Sequence, residues 1–361
     1  MAMYEKFYDV LQSYSAQKTR IKQFKRKSNK SALTKKQIDV IRRFYKPYKI
    51  PSMVFHRYFT EKTGEFHVNY IPQDLYVGYI DPYLNNIRAA KHLDNKCYYD
   101  SLFHSFKQPH MVLKRVNGIW LNNKSVPVDK VKMKELISKE NEGIFIKEAE
   151  GTAGGHGVEY VDCCDDAYEK VLEIANKIKT DIVVQRRLKQ LPEYASFNES
   201  SVNSLRIYSV LGKDGKVTIY SAVLRIGVGN TKVDNYASGG VSCGISSDGV
   251  LRKYAYNKKG DRMEKHPVSG IVFKGYVLPK YSDAVDLVKR AHPTIPHFRS
   301  VSWDIAISED GEPILIEANL CRGGIDLLQL SNGPLFGEDT EKILQEVFIS
   351  KKGEERYHDQ L

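Results

Sequence analysis

Residues 144–161 read IFIKEAEGTAGGHGVEYV. Lys147 ends an apolar run, and Gly151, Gly154, Gly155 and Gly157 follow closely, with Thr152 and His156 among them. Glycine tolerates φ > 0 and lets the backbone come close to a ligand, so successive N–H groups can fold over a polyphosphate. A Walker loop needs a lysine after its last glycine and a helix beyond it. A dinucleotide fingerprint also needs a helix N-terminus facing the phosphate. Here the loop is followed by VEYV, which reads as a strand. Strand, glycine loop and strand make a flap, to which Lys147 adds a point charge. A plain glycine-rich hairpin with a surface lysine stays equally open.

A second constellation is SVSWDIAISEDGEPILIEAN, residues 300–319. Asp310-Gly311 is a strong hairpin signal. A two-residue turn there sets Asp304 opposite Glu317 and Ser302 opposite Asn319. Alternation then gives Trp303, Ile305, Ile307, Ile314, Ile316 and Ala318 to a core face. Two carboxylates facing each other destabilise a hairpin unless something compensates. Mg²⁺ held by Asp304, Glu317 and Asn319 would do so with hard oxygen ligands. Pairing with basic side chains at a solvated face is the alternative.

A third segment, DIVVQRRLKQLP (181–192), reads as a buried strand that exits through Gln185. Its backbone and the Gln185 amide can read an adenine edge, although an ordinary strand exit fits as well.

These groups need a sizeable scaffold. The chain has 361 residues with a soluble globular composition. No apolar run nears the roughly 18 residues a membrane span needs. The start, MAMYEKFYDVLQSYS, lacks a secretory pattern, which points to the cytoplasm. The five cysteines have neither disulfide nor zinc spacing and read as reduced thiols. The net charge of +11 is local: residues 1–50 hold 14 Lys+Arg against 3 Asp+Glu, and the rest of the chain holds 41 of each. That rules out a basic nucleic-acid-binding main body.

Two basic helices are expected in 1–50, broken at SNKS, then short strands and loops over 51–95, where Tyr and Phe abound. A helix is expected over 89–106. Strands at MVLKRV and IFIK follow, with helices near 129–139 and over 165–179, the latter capped by Asp165. Strands dominate 203–255, and helices cover 282–292 and 339–349. The class is α+β. The expected organisation is a basic helical extension over 1–50 and an N-terminal lobe over 51–110. A small lobe with the glycine flap (111–190), a large C-terminal lobe (191–350) and a tail (351–361) follow.

Taken together, Lys147 with its flap, VVQRRL, VNSLRIYSV, AVLRIGVG, VDNYASGG and SWDIAISEDGEPILIEAN resemble the ATP-grasp superfamily. Within it they are similar to the sugar-transfer-associated proteins often grouped with alpha-L-glutamate-ligase-like enzymes, over roughly residues 85–345. The resemblance implies two α+β lobes sandwiching ATP. It makes Lys96 and Lys147 the nucleotide lysines, 151–157 the phosphate flap, and Gln185 with the backbone of Arg187 and Leu188 the adenine hinge. Asp304, Glu317 and Asn319 become the magnesium ligands. Arg206 falls near the transferring phosphoryl group and Arg322 near the acceptor carboxylate, with Arg225 a further candidate for the transition-state arginine. Two residues depart from the pattern: Glu148 stands where proline is common, and Ser302 where some ligases carry arginine.

The implied reaction joins a carboxylate to an amine through an acyl phosphate, with ATP going to ADP and phosphate, in cell-surface polysaccharide or related synthesis. Substrates would be small carboxylates and amines, glycan- or lipid-linked among them. A kinase on the same fold and a non-catalytic nucleotide-binding protein with a basic arm are the competitors. His156 can touch phosphate from the flap; His266, His292 and His297 read as packing or surface groups. Residues 15–49 are open to several readings: solvated decoration, peripheral contact with anionic lipid at the inner membrane face, or contact with an anionic substrate or protein. Nucleic acid is not expected as a partner.

Overall fold

The computed structural model describes residues 2–28, 32–150, 157–229, 239–321 and 323–349. Its strands fall into two antiparallel sheets. The first contains β1 (Met111–Val116), β2 (Ile119–Asn122), β3 (Ile144–Glu148), β4 (Val158–Val161) and β5 (Ile182–Arg186), in the order β2-β1-β5-β3-β4. Its apolar face, with Ile144, Ile146, Ile182 and Val184, packs on Met133, Ile137, Val171 and Ala175 from helices Lys130–Ser138 and Ala167–Lys177. Asp129 caps the first helix, its side chain accepting from Lys132 N at 2.8 Å. The second helix is preceded by Asp166 rather than Asp165, with no side-chain cap bond.

The second sheet contains β6 (Ser204–Leu211), β7 (Val217–Ile226), β8 (Val241–Ile245), β9 (Leu251–Tyr256), β10 (Arg262–Met263), β11 (Ser300–Ile307) and β12 (Pro313–Asn319). The order is β10-β9-β8-β7-β6-β11-β12. One face carries Leu205, Ile207, Trp303, Ile305 and Leu315 against helix Tyr281–Ala291. The opposite face carries Tyr208, Val210 and Val223. It is covered by Ile41, Tyr45, residues 71–84 and the helices Ile325–Asn332 and Thr340–Phe348. Strand alternation puts Arg206, Arg225 and Asp304 on this second face, toward one end of the sheet.

The two N-terminal helices form as expected, Ala2–Lys25 and Lys35–Tyr45, the second opened by a Thr34/Gln37 capping box. Their inner residues Phe24, Ile41 and Tyr45 are buried in clusters that run across residues 50 and 110. The strands expected over 51–95 are absent from the described residues; the segment is helical, with Val54–Thr63 and Ile87–Leu93 as its longer pieces. Its aromatics carry high strand propensity, but Phe55, Tyr58 and Phe59 lie one helical turn apart and bury one face. The helix expected over 89–106 breaks at Asp94-Asn95, where the Asn95 side chain accepts from Cys97 N at 2.9 Å and starts a new turn. No helix among the described residues is long and apolar enough to cross a membrane.

The β11–β12 hairpin departs from a two-residue turn. Its loop is Glu309-Asp310-Gly311, with Gly311 at φ +80° and Ser308 N bonded to Glu312 O. Ile305 therefore pairs with Leu315, and Leu315 rather than Ile314 or Ile316 packs with Trp303 and Ile305. A bulge at Ile316 then shifts the register back, restoring Asp304 opposite Glu317 and Ser302 opposite Asn319.

Candidate active site

The site grows from three neighbouring strands. Arg206 on β6 lies directly across from Asp304 on β11, which lies across from Glu317 on β12. Arg206 donates Nε to Asp304 Oδ1 at 2.8 Å and Nη2 to Oδ2 at 2.7 Å. Arg225, from β7, adds Nη1 to Oδ2 at 3.0 Å. Asp304 is 4% exposed. Burial alone would raise its pKa, but the two guanidiniums and a bond from Asn319 outweigh that and hold the carboxyl below the usual carboxylate range. Asn319 also donates Nδ2 to Ser302 O at 3.0 Å, fixing the amide against β11.

Lys96 closes the cluster, its Nζ donating to Glu317 Oε1 at 3.0 Å. It sits in the short Lys96–Tyr98 turn, whose backbone is tied to the first sheet by Lys96 N to Ala149 O at 2.9 Å. Cys97 packs on Ala149 and Val183, while the Tyr99 hydroxyl donates to Ala318 O at 3.2 Å. Residues 95–103 thus form a wedge between the sheets. Phe145, Lys147, Val183 and Gln185 share the face of the first sheet that this wedge covers. There Lys147 Nζ donates to Gln185 Oε1 at 3.2 Å.

The structure therefore bonds Arg206, Arg225 and Asn319 to Asp304, sets the Lys96–Glu317 pair beside them across the β11–β12 ladder, and joins Lys147 to Gln185 separately. Arg187 joins neither; its Nη2 bonds Glu199 O at 3.0 Å, and Leu188 beside it is half-buried. Gly151, Thr152, Gly154, Gly155, His156 and Arg322 lie outside the described residues. The strands on either side of the flap pair, with Lys147 opposite Val158. Glu148 N donates to Gly157 O at 3.2 Å, a bond that proline at this position could not make. His266 and His292 are buried and hydrogen-bonded within the fold.

Two groups escaped the sequence reading. Asp94 lies in the field of Glu317 and Lys96; burial first, then Glu317, pushes its carboxyl up to about 6. Lys114 is buried and bonds Asp100 Oδ2 at 2.5 Å and Cys97 O at 2.9 Å, bracing the wedge. The D-N-K run around Lys96 was the available signal for Asp94, whereas Lys114 looked like any strand lysine.

Both hairpin carboxylates are thus paired with cations, but in a largely buried setting rather than on a solvated face. Among the described residues no three His, Cys, Asp or Glu side chains come together to hold a metal. The donor set Asp304, Glu317 and Asn319 is nevertheless all oxygen on one face, which suits a hard cation. A cation there would share Asp304 with its arginines.

Residues 77–345 match the family model described as sugar-transfer associated ATP-grasp. The chain belongs to that family. The matched stretch contains every site residue named above, and the mixed helix and antiparallel-sheet architecture is the α+β ATP-grasp fold. A search of curated proteins gives no match. Similar solved structures include D-alanyl-alanine synthetase A from Vibrio cholerae, at 16% identity and TM-score 0.43, covering 73% of this chain and 66% of that one. The biotin carboxylase domain of Hydrogenobacter thermophilus 2-oxoglutarate carboxylase, in complex with MgADP and bicarbonate, shows 12% identity and TM-score 0.45 over 73% and 47%. An L-amino acid ligase from Bacillus licheniformis shows 14% and 0.40 over 73% and 50%. This ATP-grasp chain spans about half to two thirds of their lengths.

Proposed function

We propose that this ATP-grasp chain is an ATP-dependent ligase that joins a carboxylate to an amine through an acyl phosphate. The observation that carries the reading is the Arg206–Asp304–Glu317–Lys96 row, with Arg225 and Asn319 bonded into it. Lys96, Arg206 and Arg225 stand among Asp304, Glu317 and Asp94, and Lys147 adds a fourth cation from the first sheet, a set that favours a polyanion over a neutral ligand.

Lys96, from the wedge, and Lys147, on the face of the first sheet that the wedge covers, would hold nucleotide phosphates, with Gln185 and the neighbouring backbone on the adenine. Asp304, Glu317 and Asn319 are the residues that would hold Mg²⁺, which supplies charge neutralisation at the phosphates when bound. Arg206 and Arg225 are preorganised by Asp304 for negative charge that develops nearby. A substrate carboxylate oxygen attacks the γ-phosphorus and ADP leaves. The amine then attacks the acyl carbon, phosphate leaves, and the nitrogen loses a proton. The protein's part is positioning and charge stabilisation, which needs no nucleophilic side chain. We further infer that the carboxylate is a sugar acid or amino acid in surface-polysaccharide or related synthesis, a reading supported by the family description.

The test is release of ADP and free phosphate across a panel of sugar acids and amino acids, with product mass. Wild type should release both with one acceptor pair, and Lys147→Ala and Asp304→Asn should not. ADP with a stable phosphoester and no free phosphate would instead mark a kinase.

A further inference from the structure

The outer edge of β12 is held by a tyrosine that takes no part in the proposed reaction. β12 is the last strand of its sheet, so its outward N–H and C=O groups have no further strand to pair with. The segment between Tyr99 and Lys107 fills that place. Lys107 O accepts from Leu315 N at 2.9 Å. Further along the strand, the Tyr99 hydroxyl donates to Ala318 O at 3.2 Å and accepts from Ala318 N at 3.2 Å. A phenol does both at once, having an O–H and a free lone pair.

Ala318 stands between Glu317 and Asn319, with its own side chain in the core. Its N–H lies in the peptide plane shared with Glu317, and its C=O in the plane shared with Asn319. Tyr99 therefore fixes both planes. Glu317 and Asn319 leave one face of the strand about 6.5 Å apart, so their relative aim follows from those planes. The ladder to β11 is weak support here, because the bulge at Ile316 disrupts it just before Glu317. Tyr99 itself is held firmly. It is buried, its ring meets Phe103 edge-on at 5.3 Å, and Phe103 meets Trp303 of β11 at 5.8 Å. Gln108 Nε2 donates to Tyr99 O and to Phe103 O, both at 3.0 Å. The next residue, Asp100, bonds Lys114 of β1. One helical turn thus fastens β12 to the sheet that carries Lys147.

We propose that Tyr99 is a positioning residue for the cation site: its hydroxyl sets the β12 backbone so that Glu317 and Asn319 take one divalent cation together. This rests on the reading of Glu317 and Asn319 as cation ligands. Tyr99 touches neither cation nor substrate and acts only through the two peptide planes at Ala318. By linkage, whatever the hydroxyl adds to cation affinity, the cation adds back to the Tyr99–Ala318 bonds.

The experiment uses the full chain saturated with ADP and titrates Mn²⁺, read by electron paramagnetic resonance. Tyr99→Phe loses the hydroxyl and keeps the ring contacts with Phe103. Gln108→Ala loses two bonds from the same segment and keeps the hydroxyl. Mn²⁺ should bind Tyr99→Phe about tenfold more weakly than wild type, with metal-free ADP binding unchanged and Gln108→Ala like wild type. A second measurement needs no substitution and decides the matter if Tyr99→Phe does not fold. In wild type, amide exchange at Ala318 should slow by about the same tenfold when Mg²⁺ joins ADP. Equal Mn²⁺ affinity in wild type and Tyr99→Phe overturns the proposal, as does an Ala318 exchange rate that Mg²⁺ leaves unchanged. An equal loss in Gln108→Ala overturns it too, since the segment would then act by packing alone. Wild type that binds ADP but no Mn²⁺ sinks the ligand reading and the proposal together. Mn²⁺ bound normally by wild type, with no effect of Tyr99→Phe, sinks the proposal alone.

Discussion

Arg206 and Asp304 face each other across neighbouring strands and close a two-bond fork, Nε to Oδ1 at 2.8 Å and Nη2 to Oδ2 at 2.7 Å. Arg225 adds a second guanidinium to the same carboxylate. The arginine side chains are only 15% and 11% exposed, so Asp304 is what makes their burial tolerable. Asp304→Asn is expected to destabilise the fold by about 3–5 kcal/mol, because it leaves two buried cations facing a neutral amide. The pair should also be coupled: Asp304→Asn/Arg206→Gln should cost less than the sum of its single changes, by more than about 0.5 kcal/mol. Urea denaturation of the four proteins reads this directly, and strictly additive costs would show that the fork carries no net energy.

Lys96 ties Glu317 to the wedge between the sheets and also lowers the pKa of Asp94. Lys96→Met removes that cation while keeping most of the side-chain volume. Asp94, already pushed up to about 6 by burial and by Glu317, should then titrate higher still. Carboxyl ¹³C chemical shifts against pH report it. Under the ligase reading the same variant should raise the KM for ATP without a comparable loss of melting temperature. An unchanged Asp94 titration would mean that the two groups do not share one field.

The β11–β12 hairpin shows how far the sequence could be read. The opposition of Asp304 and Glu317 follows from a two-residue turn, yet the loop has three residues and the register slips by one. The bulge at Ile316 slips it back. Two departures that no local propensity announces cancel at the site, because both carboxylates must face the same side while Leu315 and Ala318 face the core. Lys147, the flap strands and Gln185 were legible for a simpler reason: their apolar runs and glycines are local signals. Residues 51–95 were not, since their aromatics favour strands in isolation and become helical only by packing on Leu330 and Tyr256, far away in sequence. Asp94 and the buried Lys114 gain their significance only from partners that folding brings up.

His292 is buried, with Nε2 on Phe298 O at 2.8 Å and Nδ1 on the Ser209 hydroxyl at 2.7 Å, and Ser209 also accepts from Trp303 Nε1. Burial lowers its pKa from 6.5 to about 4, so the folded protein holds a neutral ring where the unfolded chain takes up a proton. Stability from this group is complete above about 6.5 and is lost as pH falls toward 4, by up to about 3 kcal/mol. His292→Gln lacks that titration. It should be less stable than wild type at pH 7, with the gap closing steadily between pH 6.5 and 4. Urea midpoints at four or five pH values give the difference. A gap independent of pH would mean that the ring is protonated in the fold.

Glu148 occupies the last rung of the flap hairpin. Its N–H donates to Gly157 O at 3.2 Å, and its side chain accepts from the Thr180 hydroxyl at 3.3 Å. Gly157 has φ +73°, and a Cβ on it would meet Glu148 Oε1 at 2.9 Å, so backbone and side chain both close on this glycine. Glu148→Pro deletes the rung and is expected to cost about 1–3 kcal/mol locally. Glu148→Ala keeps the N–H and should cost within about 0.5 kcal/mol, since only an exposed side-chain contact goes. Amide hydrogen exchange separates them: protection at Lys147 and Val158 should drop in Glu148→Pro and persist in Glu148→Ala. Equal protection in both would show that the flap is held by the strands behind it rather than by this bond.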